Sequence, residues 1–590
     1  MSDVGNPLGL TGKQLQALEP HICLVEAGPG AGKTRTVVAR LRRRSSLGRA
    51  VAMLSFTNAA VDVARQRCRD VPCLLEPPNF VGTFDSFFRR YVTTPASVRS
   101  VGRAPTYLTT WDDLRDSMAH VRPTSGGAGV RLSKFKFVDG SWAHVDVAGL
   151  RRSERLMWDT LSEWSRKDIA DRGAERIARL HGSLVYDTAE ARRRALAVLR
   201  ENASSPLPHL ARRFGEVIID EFQDCDEVEH AIVECLMQAG IHVVTVADPD
   251  QAIYEFRQAN TEIYQQFRDL VPDKQRVSLT TCFRSTPVIC AVVNSLRTVG
   301  MDDVVPSPEH SGGADRIFVV VGSGIKAGAA AYKIVKQQGV SIQSTRVLAH
   351  RRSDARSLLR AGKEPPRGVS QMESLLIGLI ELRSGTDAFG RLRAVRKVES
   401  FILNQFDWPS TDAVEGRAEQ LERLGRSPES LRSAAITLLT ASRDWPDSGA
   451  CRSAVKQSIE HYAVGADVNL VANLGRRLMI PAAVWSFWES RTAGTLTDIP
   501  ADEPRWGHVH AAKGDEFDAV ILALSKGRAG QSHVLDDWQQ GLNSEQRRVL
   551  YVGVSRAMRL LVLVVPPAKR SQLEQILSKD EIRYEVVNAR

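Results

Sequence analysis

A glycine-rich segment near the start of the chain has the composition of a phosphate-binding loop. Residues 27–34, AGPGAGKT, follow an apolar run and precede residues 35–40, which have the pattern of a helix. Backbone N–H groups at a helix N-terminus bind phosphates. The strict pattern of such a loop begins with glycine, and Ala27 departs from it. Lys33 would reach the β- and γ-phosphates of a nucleotide, and the Thr34 hydroxyl would bind Mg²⁺. The glycines predicted to let the backbone approach the phosphates are Gly28, Gly30 and Gly32.

Two acidic residues follow another apolar run. The segment 218–224, IIDEFQD, ends a predicted strand. Asp220 is placed to hold Mg²⁺, and Glu221 is placed to orient and deprotonate the attacking water. Acidic residues after a strand are more often solvated loop residues. Their combination with the glycine-rich loop predicts hydrolysis of ATP.

Length and charge fit a large protein with a polyanionic partner. The chain has 590 residues, enough for roughly three to five domains. Its net charge of +10 and its isoelectric point near 9.3 favour a partner such as a nucleic acid. The eight cysteines form no CxxC pair, and the sequence shows neither a signal peptide nor an apolar run of about 18 residues. We therefore expect a cytoplasmic chain without a zinc or iron–sulfur site.

The apolar runs predict an α/β fold with two parallel sheets. Buried runs that are each followed by a polar loop and a helical pattern are typical of doubly wound folds. The predicted strands are 21–26, 51–56, 216–219 and 241–246 in the first sheet, and 317–321, 346–349, 519–524 and 560–565 in the second. An insertion interrupts each sheet. In the first insertion, Asp139-Gly140 predicts a hairpin between residues 134–138 and 143–147.

Further short motifs occur in order from residue 10 to residue 565. They are LTGKQ (10–14), FTNA (56–59), GTFDSF (82–87), ADPDQAIYEFRQA (247–259), CFRS (282–285), HVHAAKGDEFD (508–518) and RRVLYVGVSRA (547–557). Together with the glycine-rich and acidic segments, they resemble the motifs of superfamily 1A DNA helicases of the UvrD/Rep/PcrA type. The resemblance implies two RecA-like parallel-sheet P-loop domains, each with a mostly helical insertion.

The resemblance also assigns roles around ATP and Mg²⁺. Gln14 would read the adenine, while Phe283 and Arg35 would stack on its two faces. Glu516 would accept the ribose hydroxyl, and Gln251 would sense the γ-phosphate and the water. The residues expected to act in hydrolysis are Lys33, Asp220, Glu221, Gln251 and two arginine fingers, Arg284 and Arg556.

A track for single-stranded DNA is implied by the same family. The loop 247–259 would join the nucleotide site to the DNA, with Tyr254, Phe256 and Arg257 contacting bases and backbone. Stacking on aromatic rings tolerates any base, so a strand could be held without being read. The alternative is that Tyr254 and Phe256 are core aromatics. Further residues expected along the track are Phe56, Asn58, Thr83 and His510.

Two departures from the family pattern add negative charge near the expected DNA path. Asp85 replaces a histidine of the family's GTFHSF, and Asp515 replaces a leucine of its KGLEF. Repulsion between these carboxylates and phosphates would weaken DNA binding. The two positions therefore bear on processive unwinding rather than on ATP hydrolysis.

The boundaries expected for the four domains follow from the spacing of the motifs. They are 1–90 with 206–276 for the first RecA-like domain (1A), 91–205 for its insertion (1B), 277–360 with 481–590 for the second RecA-like domain (2A), and 361–480 for its insertion (2B). Insertion 2B looks shorter than in repair helicases of this family. Its size is similar to that of compact UvrD-like subunits that accompany a nuclease in antiviral defence systems such as Gabija, so the motifs leave DNA repair and defence both open.

The predicted function is an ATP-dependent translocase and helicase. It would move along single-stranded DNA, 3′ to 5′ by resemblance, and act at junctions between single and double strands. The alternative is a DNA-stimulated ATPase switch, a regulatory subunit beside a partner nuclease with little unwinding of its own. A neighbouring nuclease gene, or ATPase activity without strand displacement, would favour this alternative.

Overall fold

Two parallel β-sheets and a set of mostly helical segments make up the chain in a computed structural model. The structure describes residues 9–45, 49–114, 116–125, 129–138, 141–150, 152–201, 204–253, 261–308, 312–359, 370–384, 388–408, 417–492, 505–524 and 532–589. The chain divides into a first unit, residues 1–100, 191–361 and 500–590, and a second unit, residues 101–190 and 362–499. Both parallel sheets belong to the first unit.

The strands of the described residues are numbered in chain order. They are β1 (Leu24–Ala27), β2 (Ala50–Ser55), β3 (Phe80–Thr83), β4 (Thr106–Tyr107), β5 (His120–Val121), β6 (Val130–Arg131), β7 (Phe135–Val138), β8 (Ser141–Val145), β9 (Val185–Tyr186), β10 (Phe214–Ile219), β11 (His242–Ala247), β12 (Arg276–Leu279), β13 (Thr281–Cys282), β14 (Val305–Pro306), β15 (Ile317–Val321), β16 (Thr345–Ala349), β17 (Arg505–His508), β18 (Phe517–Ala523), β19 (Ala557–Val565) and β20 (Tyr584–Asn588).

The α-helices of the described residues are numbered in the same way. They are α1 (Gly12–Gln16), α2 (Lys33–Ser45), α3 (Asn58–Arg67), α4 (Phe84–Phe88), α5 (Thr94–Val101), α6 (Asp116–Ala119), α7 (Arg152–Thr160), α8 (Glu163–Gly182), α9 (Thr188–Arg200), α10 (Leu207–Arg213), α11 (Glu227–Gln238), α12 (Thr261–Leu270), α13 (Pro287–Ser295), α14 (Gly324–Gln337), α15 (Arg352–Ser357), α16 (Gln371–Ser384), α17 (Ala388–Leu403), α18 (Arg417–Arg423), α19 (Pro428–Ala441), α20 (Ser448–Ala463), α21 (Leu474–Arg477), α22 (Ala482–Thr492), α23 (Val534–Gln540), α24 (Glu545–Val554) and α25 (Arg570–Lys579).

The first sheet has six parallel strands in the order β12-β1-β11-β10-β2-β3. Successive residues of a strand point to opposite faces, so Leu24 packs in the core on one face and Val25 in the core on the other. Helices α2 and α3 cover the face that contains Val25, and α4, α9, α11 and α12 cover the opposite face. A sheet buried on both faces explains why its central strands are continuous apolar runs.

The second sheet repeats this plan with the order β17-β16-β18-β19-β15-β20, again parallel throughout. Val319 packs with α13, α24 and α25 on one face, and Val320 packs with α14 and α15 on the other. The predicted α/β class with two RecA-like parallel sheets is therefore confirmed. The eight strands predicted from apolar runs are all present, with ends that shift by up to a few residues.

Four strands of these sheets were not predicted, and all four are edge strands. They are β3 and β12 in the first sheet and β17 and β20 in the second. The last of them, Tyr584–Asn588, lies beyond the run 560–565 that was expected to end the sheet. Edge strands have one unpaired side, and β12, β17 and β20 are only partly buried, so their sequences mix polar and apolar residues.

The second unit consists mainly of helices. One of its cores lies among residues 111–185 and another among residues 372–488. The predicted hairpin is confirmed by the antiparallel pairing of β7 with β8, while Asp139 and Gly140 at its turn lie outside the described residues. Trp485 and Trp488 of α22, which the expected boundaries assign to domain 2A, pack in the second of these cores. The four domain boundaries otherwise stay predictions.

No helix within the part of the chain that the structure describes combines the length and the low polarity needed to span a bilayer.

Candidate functional site

The glycine-rich loop lies between β1 and α2, as its sequence predicts. Strand β1 ends at Ala27 and α2 begins at Lys33, so the loop leaves the carboxyl edge of the first sheet. Gly30 and Gly32 have φ angles of 72° and 77°, in the left-handed region that favours glycine. A Cβ atom on Gly32 would lie 2.6 Å from the Gln14 Nε2 atom. The backbone conformation and the close neighbours therefore require glycine at these positions.

Lys33 faces the end of the neighbouring strand β11. Its Nζ atom donates a hydrogen bond to the Ala27 carbonyl at 3.2 Å and lies 3.6 Å from Asp248 Oδ2. Asp248 follows β11 and is buried, and it also accepts hydrogen bonds from Gln251 Nε2 (2.6 Å) and the Tyr551 hydroxyl (3.3 Å). The lysine predicted to bind phosphate is thus held at the sheet edge by a carboxylate.

Asp220 and Glu221 follow β10 at the same edge. Glu221 is one of the few non-glycine residues in the left-handed region, with φ 56° and ψ 40°. Its backbone N–H donates to Asp220 Oδ1 at 3.0 Å. Parallel strands place their carboxyl ends on one edge, which explains why residues far apart in sequence meet here.

The two acidic side chains differ in proton affinity. Burial, with the adjacent Glu221 carboxylate, raises the pKa of Asp220 to about 7. Burial alone would also raise the pKa of Glu221, but the positive charges of Lys33 and Lys513 outweigh it and lower this pKa to about 2. Glu221 is therefore ionised and can accept a hydrogen bond from water. Asp220 would supply an oxygen ligand of the kind that Mg²⁺ prefers.

Two residues that the sequence did not single out complete this edge. Gln223 donates from Nε2 to the Glu221 carboxylate, and its Oε1 accepts the Asp248 N–H at 3.0 Å. Lys513 donates to Asp224 at 2.5 Å and to the Gln251 carbonyl at 2.9 Å. Both residues lie inside motifs quoted above. Their polar side chains close to predicted site residues were the signal by which the sequence could have identified them.

The two arginines expected as fingers reach this edge from different elements: Arg556 precedes β19 of the second sheet, and Arg284 lies between β13 and α13, a helix that packs on that sheet. Arg556 is buried and donates from Nη2 to Gln251 Oε1 at 3.2 Å. Arg284 donates to the Ser555 carbonyl at 3.0 Å and is ion-paired with Glu516. Burial and the neighbouring Arg284 charge lower the pKa of Arg556 to about 10. The structure thus brings Arg556, Gln251 and Lys33 into one chain of polar contacts through Asp248.

The residues expected around the adenine lie beside the glycine-rich loop. Gln14 is buried; its Nε2 donates to the Ala31 carbonyl at 3.0 Å, and its Oε1 accepts the Thr11 N–H at 3.0 Å. Phe283 is 36% exposed, and its backbone N–H donates to the Gly30 carbonyl at 3.0 Å. Arg35 is half-buried in the first turn of α2. Gln14 therefore supports the loop itself, and its contact with adenine stays a prediction.

The described candidates for the DNA track lie at the ends of other strands. Phe56 follows β2, and its ring stacks on Phe84 at 5.2 Å between centroids. Thr83 ends β3 and caps α4, and Asn58 is exposed at the start of α3. His510 follows β17, with its Nε2 4.0 Å from Glu545. The remaining candidates, Tyr254, Phe256 and Arg257, lie outside the described residues.

Asp85 has a basic partner that the sequence did not identify. Its carboxylate accepts two hydrogen bonds from Arg192, at 2.7 Å from Nε and 3.1 Å from Nη2. Arg192 also reaches Glu229 at 2.7 Å. The charge at position 85 is therefore paired inside the first unit, where it joins α4 to α9, and its expected effect on DNA binding stays a prediction. Asp515 is exposed, and its expected effect on DNA stays a prediction.

The residues present fit ATP with Mg²⁺. The loop requires glycine where the backbone would approach phosphates, Lys33 supplies the positive charge, and Thr34 and Asp220 supply oxygen ligands. A bound Mg²⁺ would supply neutralisation of phosphate charge. Glu221 would then hold the water, and the arginines would stabilise charge on the phosphate.

Comparison with known proteins agrees with this geometry. The model of the UvrD/REP helicase N-terminal domain matches residues 10–128 and 155–272, and that of the UvrD-like helicase C-terminal domain matches residues 508–566. The ATP-dependent DNA helicase UvrD1 of Mycobacterium leprae is 26% identical over 97% of this chain and 84% of its own length. UvrD2 of Mycobacterium tuberculosis is 23% identical over 95% and 80%. DNA helicase II of Escherichia coli is 27% identical over 46% and 38%.

The matched regions contain the residues that build the site. Residues 10–128 and 155–272 include the glycine-rich loop and the acidic pair, and residues 508–566 include Lys513 and Arg556. The two models together cover about half of the chain. The chain therefore belongs to the UvrD/Rep-like family of superfamily 1A helicases.

Proposed function

We propose that this protein is an ATP-dependent motor that moves along single-stranded DNA and unwinds duplex DNA at junctions. The observation that carries the proposal is the chain of contacts from Lys33 through Asp248 and Gln251 to Arg556. These contacts join the carboxyl edge of the first sheet to a residue that precedes a strand of the second sheet. A phosphate bound among these residues would change its charge when ATP is hydrolysed. That change would alter the contacts between the two sheets, and a motor requires such a rearrangement of its domains.

The DNA side of the proposal rests on the family motifs. Phe56 follows β2 and Thr83 ends β3, both at the carboxyl edge of the sheet that carries Glu221, so a DNA strand across these positions would lie next to the nucleotide site. The three relatives reported above are named as DNA helicases, two of them as ATP-dependent. Movement from 3′ to 5′, a role in repair or in defence, and a partner nuclease are finer proposals that rest on resemblance.

A strand-displacement assay tests this function. Purified protein is given ATP, Mg²⁺ and one of two duplexes, which carry a single-stranded tail on either the 3′ or the 5′ side. We expect displacement of the strand from the 3′-tailed duplex and none by Lys33→Ala. Displacement from the 5′-tailed duplex alone would overturn the polarity. DNA-stimulated ATPase activity without displacement from either duplex would favour the regulatory-subunit alternative, and an ATPase that ignores DNA would overturn both.

A further inference from the structure

A further arginine on the side of the second sheet reaches the glycine-rich loop and has no role in the site described above. Arg297 follows α13, and its side chain is 7% exposed. Its Nη1 atom donates a hydrogen bond to the Tyr551 hydroxyl at 3.2 Å. A Cβ atom on Gly28 would lie 3.2 Å from the same Nη1 atom. A buried positive charge therefore lies beside the start of the loop predicted to bind phosphate.

Two buried carboxylates lie close to this guanidinium. Asp248 and Asp250 follow β11, and each is 1% exposed. Asp250 Oδ1 accepts hydrogen bonds from the Thr298 N–H at 3.0 Å and from the Thr298 hydroxyl at 2.6 Å, and Arg547 donates to the same hydroxyl at 2.9 Å. Asp250 Oδ2 accepts no hydrogen bond within the described part of the chain and lies 3.9 Å from Arg297 Nε. Because a buried carboxylate is costly unless it is paired, the charge of Arg297 compensates this oxygen.

The balance of charge around Lys33 depends on this arrangement. Lys33, the cation predicted to bind phosphate, lies 3.6 Å from Asp248 Oδ2. Carboxylates without a counter-ion of their own would attract Lys33 and repel the phosphates of a nucleotide. Arg297 approaches Asp250 directly, and it approaches Asp248 through the Tyr551 hydroxyl, which donates to Asp248 Oδ2 at 3.3 Å. Burial would lower the pKa of Arg297, but its neighbours, first Tyr551 and then the two carboxylates, raise this pKa, so the guanidinium is charged.

We propose that Arg297 is a positioning residue that neutralises the two carboxylates after β11 and thereby leaves Lys33 available to the phosphates of ATP. The inference rests on the proposed function, because it needs ATP bound at the glycine-rich loop. It goes beyond the motifs, since Arg297 lies outside all of those quoted above. Although Arg297 follows a helix that packs on the second sheet, it acts through carboxylates of the first, so its loss should affect ATP binding rather than the chemical step.

The test measures equilibrium binding of a fluorescent ATP analogue in the presence of Mg²⁺. In Arg297→Gln the side chain stays polar but loses the charge beside Asp250. We expect the dissociation constant to rise about tenfold, because Lys33 is then held by carboxylates that lack a counter-ion. The kcat at saturating ATP should stay within about threefold of the unmodified value. Arg297→Lys, which keeps the positive charge, should retain most of the affinity.

A second change separates the effect of charge from the effect of packing. Asp250→Asn keeps an oxygen that can accept the hydrogen bonds of Thr298 but removes one negative charge. Added to Arg297→Gln, it should restore the dissociation constant for the ATP analogue to within about twofold of the unmodified value. A loss of affinity caused by altered packing around Arg297 would not be restored by removing a charge from a neighbouring residue.

Another buried arginine provides a matched control. Arg40 of α2 is 2% exposed and donates to Glu216 at 2.8 and 2.9 Å, near the start of β10 and away from the carboxyl edge. Arg40→Gln should lower thermal stability but leave the dissociation constant for the ATP analogue unchanged, and thermal unfolding of all variants separates loss of fold from loss of binding. If Arg297→Gln fails to fold, Asp250→Asn alone is the opposite test. The loss of one negative charge should then tighten binding about threefold, and unchanged affinity would overturn the proposal.

The outcomes separate the two levels of inference. An unmodified protein that does not bind the ATP analogue would overturn the proposed function. An unmodified protein that binds it, together with an Arg297→Gln variant of equal affinity, would overturn the role of Arg297 alone. A loss of affinity that Asp250→Asn does not restore, or an equal loss in Arg40→Gln, would also overturn this role, because the effect would then follow from packing or stability and not from charge.

Discussion

The two parallel sheets share a plan but contribute to the site from different edges. In the first sheet, the functional residues follow the strands: Lys33 lies beyond β1, Asp220 beyond β10 and Asp248 beyond β11. In the second sheet, Glu516 and Arg556 each precede a strand, at the amino ends of β18 and β19. The carboxyl edge of a parallel sheet is the usual position for ligands, so we expect the first sheet to carry the binding site.

The two sheets contribute residues to the candidate site through different kinds of contacts. Residues of the first sheet hold each other, as Lys33 and Gln251 both do with Asp248. Residues of the second sheet reach across to them, as Arg556 does to Gln251. We therefore expect changes in the first sheet to affect binding or the chemical step, and changes in the second to affect the chemical step with little effect on binding.

The largest effect is expected from Glu221→Gln in the first sheet. Loss of the carboxylate that holds the water should lower kcat by about 10²–10⁴-fold, the usual contribution of a general base. Binding of ATP should persist, and equilibrium binding of a fluorescent ATP analogue measures this. Lys33→Ala serves as the contrasting variant, because it should weaken ATP binding itself. Hydrolysis by Glu221→Gln at the unmodified rate would show that another group holds the water.

Arg556→Gln in the second sheet should come next. Removing one charged donor to the phosphate should lower kcat by about 10²–10³-fold. The dissociation constant for ATP should change little, which single-turnover kinetics and equilibrium binding together can establish. Arg570→Gln, on α25 of the same region, is a control that should retain full activity because this arginine lies at the surface, where it contacts Glu574 and Asn588. A large loss of ATP affinity in Arg556→Gln would contradict the expectation that residues of the second sheet act in the chemical step and not in binding.

A change at Asp85 should affect stability rather than DNA binding. Asp85→Asn removes the charge that accepts two bonds from Arg192 and should lower the free energy of unfolding by about 1–2 kcal/mol. Urea unfolding measures this loss. The exposed pair of Arg42 with Asp70 is a suitable comparison, since Asp70→Asn should cost about 0.5 kcal/mol or less. Tighter binding of single-stranded DNA by Asp85→Asn would instead support repulsion between this carboxylate and the DNA phosphates, as predicted from the sequence.

The smallest effect is expected at Asp515 in the second sheet. This side chain is exposed, and its carboxylate would repel a phosphate nearby by about 1 kcal/mol or less in water. Asp515→Asn should therefore tighten the binding of single-stranded DNA slightly at low salt and not at high salt. Fluorescence anisotropy across a salt titration shows this, and equal affinity at every salt concentration would place the carboxylate away from the DNA.

The sequence predicted the centre of each sheet better than its edges. Strands such as β11 and β19 are buried on both faces and contain long apolar runs, which identify them without further information. Strands β12 and β20 lie at edges and contain both polar and apolar residues within only four or five positions. Such short mixed segments are also common in loops, so no local signal separated these strands from their surroundings.

At the site, too, the sequence predicted some features and not others. Motif order made Lys33, Glu221 and Arg556 candidates, because each residue type is suited to one chemical task. The contacts of Glu26 with Arg268, and of Asp85 with Arg192, join residues far apart in the chain. Each pair consists of one acidic and one basic residue at no fixed spacing in the sequence. Only the folded chain shows which acidic residue pairs with which basic residue.

The left-handed backbone at Glu221 has a consequence for how this protein can evolve. An L-residue with a Cβ atom in that conformation costs about 1–2 kcal/mol, which glycine would avoid. A chain selected only for thermal tolerance would therefore drift towards glycine at this position and lose the carboxylate that we expect to hold the attacking water. Glutamate retained here in related sequences, despite its cost in stability, would favour the proposed role in hydrolysis.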